Sequence, residues 1–111
     1  MDCIFCKIAD GSIPSGKVYE DDLILCFKDI NPQAEVHALV IPKQHIASVN
    51  GITAENSDTV KHIFEKIPEI AKLLGVNDYR VISNCGEGAG QTVMHLHFHI
   101  LSGSNLGERL V

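Results

Sequence analysis

The sequence predicts an α+β domain: an antiparallel five-stranded sheet with a long helix on one face and a short N-terminal helical knuckle. The elements follow the order β-β-β-α-β-β with short turns between them, which favours an antiparallel sheet covered by a helix. One stretch has apolar residues at three- and four-residue steps over helical length. The 111 residues fit a single domain, 1–111, with one modest core.

The first half of the chain contains the knuckle and three strands. The knuckle is the segment CIFCKIADG, which ends at a glycine. A hairpin follows, with strands at 18–20 and 23–28 on either side of a turn at Asp21 and Asp22. The third strand spans 36–41 and stops at Pro42.

The second half contains the long helix and two further strands. The helix is predicted over 53–75, because apolar residues recur at helical spacing and Gly75 suits its C-terminal end. Pro68 predicts a kink, since its ring removes one amide donor, and His62 reads as a surface residue. Strands four and five fall at 78–84 and 94–101. Such a sheet has edges to cover, and a homodimer is one way to cover them.

Composition narrows the class of partner. The net charge of −5 argues against a surface for duplex nucleic acid, which needs clustered Lys and Arg, but it leaves room for a small nucleotide. No apolar run is long enough to cross a membrane, and the N-terminus is acidic where a signal peptide is basic. We therefore expect a cytoplasmic protein without membrane contact, in which four cysteines are thiols or metal ligands.

A row of alternating histidines marks the predicted fifth strand. His95, His97 and His99 share one face of an extended segment. The other face carries the core residues Leu96, Phe98 and Ile100. Three interpretations compete: an exposed polar face, a metal site, and covalent catalysis in which one imidazole attacks while its neighbours orient it and the substrate.

A loop rich in small residues leads into this row. It contains Gly86, Gly88, Ala89 and Gly90. Glycines let main-chain amides approach a ligand, and successive amides form an anion-binding concavity. A plain hairpin turn explains the loop nearly as well. Beside the histidines, the loop suggests a phosphate held next to a nucleophile.

These motifs together resemble the histidine triad (HIT) family. Its pattern His-φ-His-φ-His-φ-φ, with φ apolar, is filled from His95 to Leu101. The segments CIFCKIADGSIPSGKVYEDD, FKDINPQAEVHALVIPKQHI and NCGEGAGQTVMHLHFHIL agree with the family in order and spacing. The resemblance covers nearly the whole chain and is closest to the Hint-like branch, the purine nucleoside phosphoramidases.

The resemblance implies a homodimer whose two sheets join into one. It implies hydrolysis of nucleoside 5′-monophosphoramidates, such as AMP–amine or AMP–lysine, through a nucleotidyl-histidine intermediate. His97 would be the nucleophile, His99 would contact the phosphate, and His37 would also stand in the site. Thr92 would stabilise charge and help the leaving amine gain a proton.

The resemblance also implies a purine nucleotide site. Asp29 would hold the ribose hydroxyls, although a turn former before Pro32 is a simpler account of that residue. Ile30 would pack against the base or sugar. The phosphate side would be lined by Asn84, Gly90, Gln91 and Thr92.

The N-terminal cysteines are a candidate metal site. Cys3 and Cys6 have metal-ligand spacing, but a lone C-x-x-C also fits a redox pair or two packed thiols. His45 and His95 are the best further ligands, and family members with this C-x-x-C use such a Cys₂His₂ zinc site. A closed site of four ligands is structural. Of the other cysteines, Cys26 reads as core and Cys85 has no assigned role.

The sequence also departs from the family pattern. Thr92 stands where many Hint-like proteins have Ser, and the C-terminal tail is short and lacks Trp and Pro, which puts the substrate preference in doubt. His99 is kept where the transferase branch has Gln, which favours hydrolysis. Three alternatives remain open: a dinucleoside polyphosphate hydrolase, a zinc-stabilised nucleotide-binding module with little turnover, and a metallohydrolase using all three triad histidines as ligands.

Overall fold

The computed structural model describes residues 3–104 and 106–110 and shows one sheet with a helix on each face. Five antiparallel strands are ordered β1-β2-β3-β5-β4, so the predicted fold class is confirmed. Short 3₁₀ turns lie at Val49–Gly51 and Glu87–Ala89. The elements are α1 (Ile4–Ala9), β1 (Lys17–Glu20), β2 (Ile24–Lys28), β3 (Val36–Pro42), α2 (Ser57–Leu74), β4 (Arg80–Ile82) and β5 (Phe98–Ser102).

The two central strands are buried on both faces, which is why they read as nearly continuous apolar runs. Alternate side chains of a strand point to opposite faces, so each of these strands supplies two cores. The core under α2 contains Ile24, Cys26, Ala38, Val40, Ile63, Ile67, Ile70, Leu96, Phe98 and Ile100. The core under α1 contains Phe5, Ile8, Leu25, Phe27, Leu39 and Ile41.

The β1–β2 hairpin is tied to α2 through Asp21. Its Oδ1 accepts the Leu23 amide proton at 2.8 Å, and its Oδ2 lies 2.6 Å from His62 Nε2 and 2.8 Å from the Tyr19 hydroxyl. Burial raises the Asp21 pKa, but the hydrogen bonds from His62 and the main chain outweigh burial and hold that pKa well below its usual value. The surface role predicted for His62 is therefore incomplete, because this side chain joins the helix to the hairpin.

Helix α2 begins at Ser57, later than the predicted start. The Thr53 amide donates to Asn56 Oδ1 at 2.7 Å, and this local bond keeps the preceding residues in a turn. The helix continues through Pro68 as one element and ends at Gly75, whose φ of 75° lies in the left-handed region. Its predicted C-terminal end is confirmed. No helix in the described ranges is long and apolar enough to cross a membrane.

The fifth strand begins at Phe98 and not at residue 94, which corrects its predicted start. The last ladder pair joins Val40 to Phe98. Two residues further along β3, Pro42 has no amide proton, so the ladder cannot continue. The Leu96 amide donates instead to the Ile46 carbonyl at 2.6 Å. The alternation of faces nevertheless persists through this irregular stretch.

Candidate active site

A cleft of about 640 Å³ opens on the α1 face of the sheet. Its apolar lining includes Phe5, Ile8, Ile13, Phe27 and Leu39. Seven of the predicted site residues also line it: Asp29, Ile30, His37, Gly90, Thr92, His97 and His99. Sequence spacing alone could not show that β2, β3 and the segment before β5 meet here, because this depends on the strand order.

The His97 ring is oriented by the main chain. Its Nδ1 lies 2.7 Å from the carbonyl oxygen of His95. A carbonyl oxygen only accepts, so Nδ1 carries the proton and Nε2 keeps the lone pair. The Ser83 hydroxyl donates to the His97 carbonyl at 2.8 Å, and the Phe5 ring packs edge-on, with its centroid 5.2 Å from that of His97. His97 is 6% exposed, so the interpretation as a solvated polar face is wrong for it.

His99 and His37 form a second, directly bonded pair. His37 Nε2 lies 2.8 Å from His99 Nδ1, and the Gln33 amide donates to His37 Nδ1 at 3.0 Å. Burial, together with the neighbouring His97 and His37, lowers the His99 pKa to about 4. Burial also lowers the His37 pKa, against the opposing effect of Asp29. Both rings are therefore neutral at pH 7.

The loop before the triad is held by a buried glutamine. Gln91 Oε1 accepts the Gly86 amide proton at 2.8 Å, and Gln91 Nε2 donates to the carbonyls of Ala47 and Val93 at 2.8 and 2.9 Å. With both amide protons used and 3% of the residue exposed, the Gln91 side chain has no donor left for a phosphate. The prediction that it lines the phosphate side is corrected: it shapes the loop.

Two glycines in this loop have main-chain angles that only glycine adopts easily. Gly86 and Gly90 have φ of 92° and 93°. Gly90 and Thr92 border the cleft, and the Asn84 Nδ2 lies 3.8 Å from where a Cβ of Gly90 would stand. Asn84 therefore lies next to the loop, although it is not part of the cleft lining given above.

Asp29 is a turn former that also lines the cleft. Its Oδ1 accepts the Asn31 amide proton at 2.8 Å, the bond of a turn former. Its Oδ2 lies 3.4 Å from His37 Nε2 inside the cleft. Ile30, next to it, is fully exposed at the cleft. A large apolar side chain left in solvent beside a cleft is suited to contact a ligand.

The four predicted metal ligands come together between α1, the end of β3 and the segment before β5. Cys3 Sγ lies 3.3 Å from His95 Nδ1, and Cys6 Sγ lies 3.3 Å from His45 Nδ1. All four ligand atoms lie within 4.8 Å of one another. His95 Nε2 lies 2.8 Å from the Pro42 carbonyl, so Nε2 carries the proton and Nδ1 turns its lone pair to the sulfurs. Two thiols and two imidazoles with this orientation fit a tetrahedral metal ion.

The triad histidines do not share one metal site. His95 belongs to the cysteine group, and His99 lies with Asp29 and His37 in another group of possible ligands. Among the described residues, His97 is in neither group. The geometry therefore opposes a metallohydrolase that uses all three triad histidines as ligands.

The other two cysteines lie apart from this group of four possible metal ligands. Cys26 is fully buried, as predicted, and burial raises its pKa to about 12. Such a thiol is inert at neutral pH. The Cys85 thiol donates to the Ser48 hydroxyl at 3.5 Å.

Several residues that organise the cleft were not found from sequence. The carbonyl of Pro42 and the amide of Gln33 orient histidine rings through main-chain hydrogen bonds. Because almost every residue type has these main-chain groups, the sequence does not show which of them will be used. Ser83 also acts on the main chain, but through a common side chain. Phe5 was detectable in principle, because it lies between the two cysteines of the C-x-x-C motif.

Comparison with known proteins agrees with this geometry. The family model described as "Scavenger mRNA decapping enzyme C-term binding" matches residues 2–109. Protein HitA of Neisseria gonorrhoeae is 48% identical over 100 residues, 89% of this chain and 94% of its own length. A HIT-like protein of Helicobacter pylori is 50% identical over 102 residues, 90% of this chain and 95% of its own.

Solved structures show the same similarity. A HIT family hydrolase from Clostridium thermocellum superposes with a TM-score of 0.95 at 45% identity, covering 99% of this chain and 97% of its own. A histidine triad protein from Clostridium difficile superposes with a TM-score of 0.92 at 53% identity, covering 98% and 96%. The similarity therefore extends over the whole described fold.

Proposed function

Since the chain belongs to the histidine triad family, we propose that it hydrolyses nucleoside 5′-monophosphoramidates of the AMP–amine or AMP–lysine type. The observation that carries this proposal is the bond from His97 Nδ1 to the His95 carbonyl, 2.7 Å long. In the neutral ring, this bond puts the proton on Nδ1 and leaves the Nε2 lone pair available in the cleft. Such a nitrogen can attack phosphorus without first losing a proton.

The reaction proceeds in two displacements at phosphorus. In the first, the His97 Nε2 lone pair forms the N–P bond while the P–N bond to the amine breaks, and the amine leaves with an added proton. In the second, water attacks phosphorus, the electron pair of the N–P bond returns to His97 Nε2, the water loses a proton to solvent, and AMP is released. Both steps depend on positioning and charge stabilisation more than on a strong base.

The residues around His97 supply that stabilisation. A neutral His99 can donate a hydrogen bond to a phosphoryl oxygen, and Thr92, which lines the cleft, can offer its hydroxyl for the same purpose or pass a proton to the amine. The glycine loop can add main-chain amides near Gly90. Together they would offset the negative charge that builds on the phosphoryl oxygens.

The rest of the cleft suits a purine nucleoside. The apolar side chains of α1 and β2, such as Ile8 and Phe27, can stack against a base, and the exposed Ile30 can close over it. The Asp29 carboxylate can accept both ribose hydroxyls. This would favour nucleotides over simple phosphates.

We also propose that the cysteine–histidine cluster holds Zn²⁺. Cys3, Cys6, His45 and His95 would form a closed set of four ligands. When bound, zinc supplies cross-linking and not bond-breaking chemistry, because a closed site leaves no position for substrate. Its effect on turnover would be through the orientation of the segment that carries His97.

A homodimer in which two sheets join is the assembly we propose. The described sheet has two edge strands, β1 and β4, and an edge strand presents unpaired main-chain groups. Pairing an edge with the same edge of a second copy satisfies them symmetrically. Light scattering of the purified protein at several concentrations tests this, and a monomer throughout would contradict it.

The test of function is rapid-quench mass spectrometry after mixing with AMP–amine. We expect an adduct of AMP mass on His97, followed by free AMP. His97→Ala should lose the adduct and at least about 10³-fold in turnover. His62→Ala is the matched control, a histidine replaced outside the cleft, and should keep both.

Two other results would overturn the proposal. Faster turnover of a dinucleoside polyphosphate, tested side by side with AMP–amine, would assign the alternative hydrolase activity on the same scaffold. Nucleotide binding without adduct or product would indicate a binding module.

A further inference from the structure

We infer that His37 is a positioning residue that fixes which ring nitrogen of His99 carries the proton, and that the main-chain amide of Gln33 sets this choice. The inference concerns proton placement in the free protein. Only its catalytic consequence rests on the proposed function.

The first step is the bond from Gln33 to His37. The Gln33 amide nitrogen lies 3.0 Å from His37 Nδ1, and an amide N–H can only donate. His37 Nδ1 must therefore hold a lone pair. In the neutral ring the proton is then on Nε2.

The second step is the bond from His37 to His99, which fixes the position of the proton on the His99 ring. His37 Nε2 is 2.8 Å from His99 Nδ1, so the His37 proton points at His99 and the Nδ1 of His99 must accept it. The proton of a neutral His99 is then on Nε2. Burial lowers the pKa of both rings, which agrees with their being neutral at pH 7.

The loop that carries Gln33 is braced to keep its amide in place. The Asp29 amide donates to the His37 carbonyl at 3.0 Å, and the Gln33 side chain donates to the Asn31 carbonyl at 3.1 Å. These bonds close the loop over β3. The donor that sets the proton pattern is therefore part of the fold and needs no ligand.

His97 and His99, which both line the cleft, are consequently held in opposite tautomers. His97 has its proton on Nδ1 and a lone pair on Nε2, whereas His99 has a lone pair on Nδ1 and its proton on Nε2. Their ring centroids lie 5.1 Å apart. A phosphoryl group between them would meet a nucleophile from one ring and a hydrogen-bond donor from the other. The reverse tautomer of His99 would present a lone pair that repels a phosphoryl oxygen.

The same argument excludes a metal at this group. Asp29, His37 and His99 have ligand atoms within 4.8 Å of one another. A metal-binding histidine normally donates its remote N–H to an acceptor. His37 accepts at its remote nitrogen, so its Nε2 carries a proton and is not a ligand. The Asp29 Oδ2, 3.4 Å away, is a second acceptor for that proton.

Nitrogen-15 NMR of histidine-labelled protein at neutral pH tests the inference directly. In the wild type, we expect the His99 proton on Nε2. The matched variants are His37→Gln and His37→Glu, which differ only in offering an amide or a carboxylate. In His37→Gln the amide oxygen accepts from Gln33 and the amide protons face His99, so the pattern should persist. In His37→Glu the carboxylate should draw a proton onto His99 Nδ1.

Turnover provides the second measurement. His37→Glu should lower kcat by about 10²-fold, the cost of one lost oriented donor, with a much smaller change in KM. His37→Gln should retain most of the wild-type kcat. A wild-type His99 protonated on Nδ1, or an unchanged nitrogen pattern in His37→Glu, would overturn the inference. The expected nitrogen pattern without any turnover would refute the proposed function alone.

Discussion

The histidines around the cleft differ in which ring nitrogen is already occupied. His97 donates a hydrogen bond from Nδ1 to one carbonyl, His95 donates one from Nε2 to another, and His37 accepts one at Nδ1. One residue type is thereby held in three different hydrogen-bonding states, which suit the proposed roles of nucleophile, metal ligand and positioning group. The role of each ring is set by a main-chain partner.

The partly buried His99 should make stability depend on pH. Its folded pKa of about 4 lies below the value of about 6.5 in an unfolded chain. As pH falls from about 6.5 to about 4, the unfolded state takes up the proton first, so the free energy of unfolding falls. Above about 6.5 both states are neutral and the contribution is fully present. Urea unfolding across this range should show a steeper decline for the wild type than for His99→Gln; parallel curves would contradict the pKa assigned to His99.

Residue roles were predictable from sequence only where a side chain carries the signal. The triad spacing pointed to His97 and His99, which line the cleft, and the C-x-x-C motif pointed to Cys3 and Cys6, which lie together with two histidines; their roles stay predictions. The interpretation failed for Gln91, because the same amide can bind a phosphate or a loop. Only the positions of the surrounding carbonyls decide between those two uses.

At the scale of secondary-structure elements, the sequence pattern located the five strands, the N-terminal knuckle and α2, but it missed several boundaries and the 3₁₀ turns at Val49–Gly51 and Glu87–Ala89. Apolar spacing gave α2 and its end at Gly75. Its start was misplaced because Asn56 bonds to Thr53 and competes with the helix. The start of β5 was misplaced because the register that pairs Val40 with Phe98 would bring Leu96 opposite Pro42, which has no amide proton. Such boundaries depend on neighbours that a single segment does not contain.

Gly75 offers a test of how α2 ends. Its φ of 75° strains any residue with a Cβ, although nothing lies within 4 Å of the position such an atom would take. Gly75→Ala should therefore lower the free energy of unfolding by about 1 kcal/mol through the main chain alone. Gly88→Ala is the matched control, because Gly88 has equal space and no positive φ, and should change stability by less than about 0.5 kcal/mol. Equal losses in chemical denaturation would contradict the strain argument.

At the scale of the whole molecule, the cysteine–histidine cluster brings together residues that are distant in the chain. Cys3 lies at the start of α1, whereas His95 lies 92 residues later, before β5. A metal ion bound there would close the α1 layer onto the sheet. This grouping was predictable from sequence, because the C-x-x-C motif supplies two of the four candidate ligands and the triad supplies one more, His95.

Metal removal should therefore destabilise the entire fold. A ligand present at about 1,000 times its Kd stabilises by about 4 kcal/mol, so a chelator should lower Tm by on the order of 10 °C. Cys3→Ser should start from a lower Tm and no longer respond to the chelator. Cys85→Ser, a cysteine replaced outside the cluster, should respond like the wild type. A chelator effect that survives in Cys3→Ser would place the metal elsewhere.

His95 contacts its neighbours through two different groups, its imidazole ring and its main-chain carbonyl. Its ring faces the sulfurs of Cys3 and Cys6, while its carbonyl holds the proton of His97. Mutagenesis reaches only the first of these, since every amino acid brings the same carbonyl. A scan of substitutions at position 95 would thus measure how much the His95 ring contributes to stability through the proposed metal site. The hydrogen bond from His97 Nδ1 to the carbonyl of residue 95 would remain. Detecting the second contribution requires an ester in place of the peptide bond, a change that the genetic code does not provide.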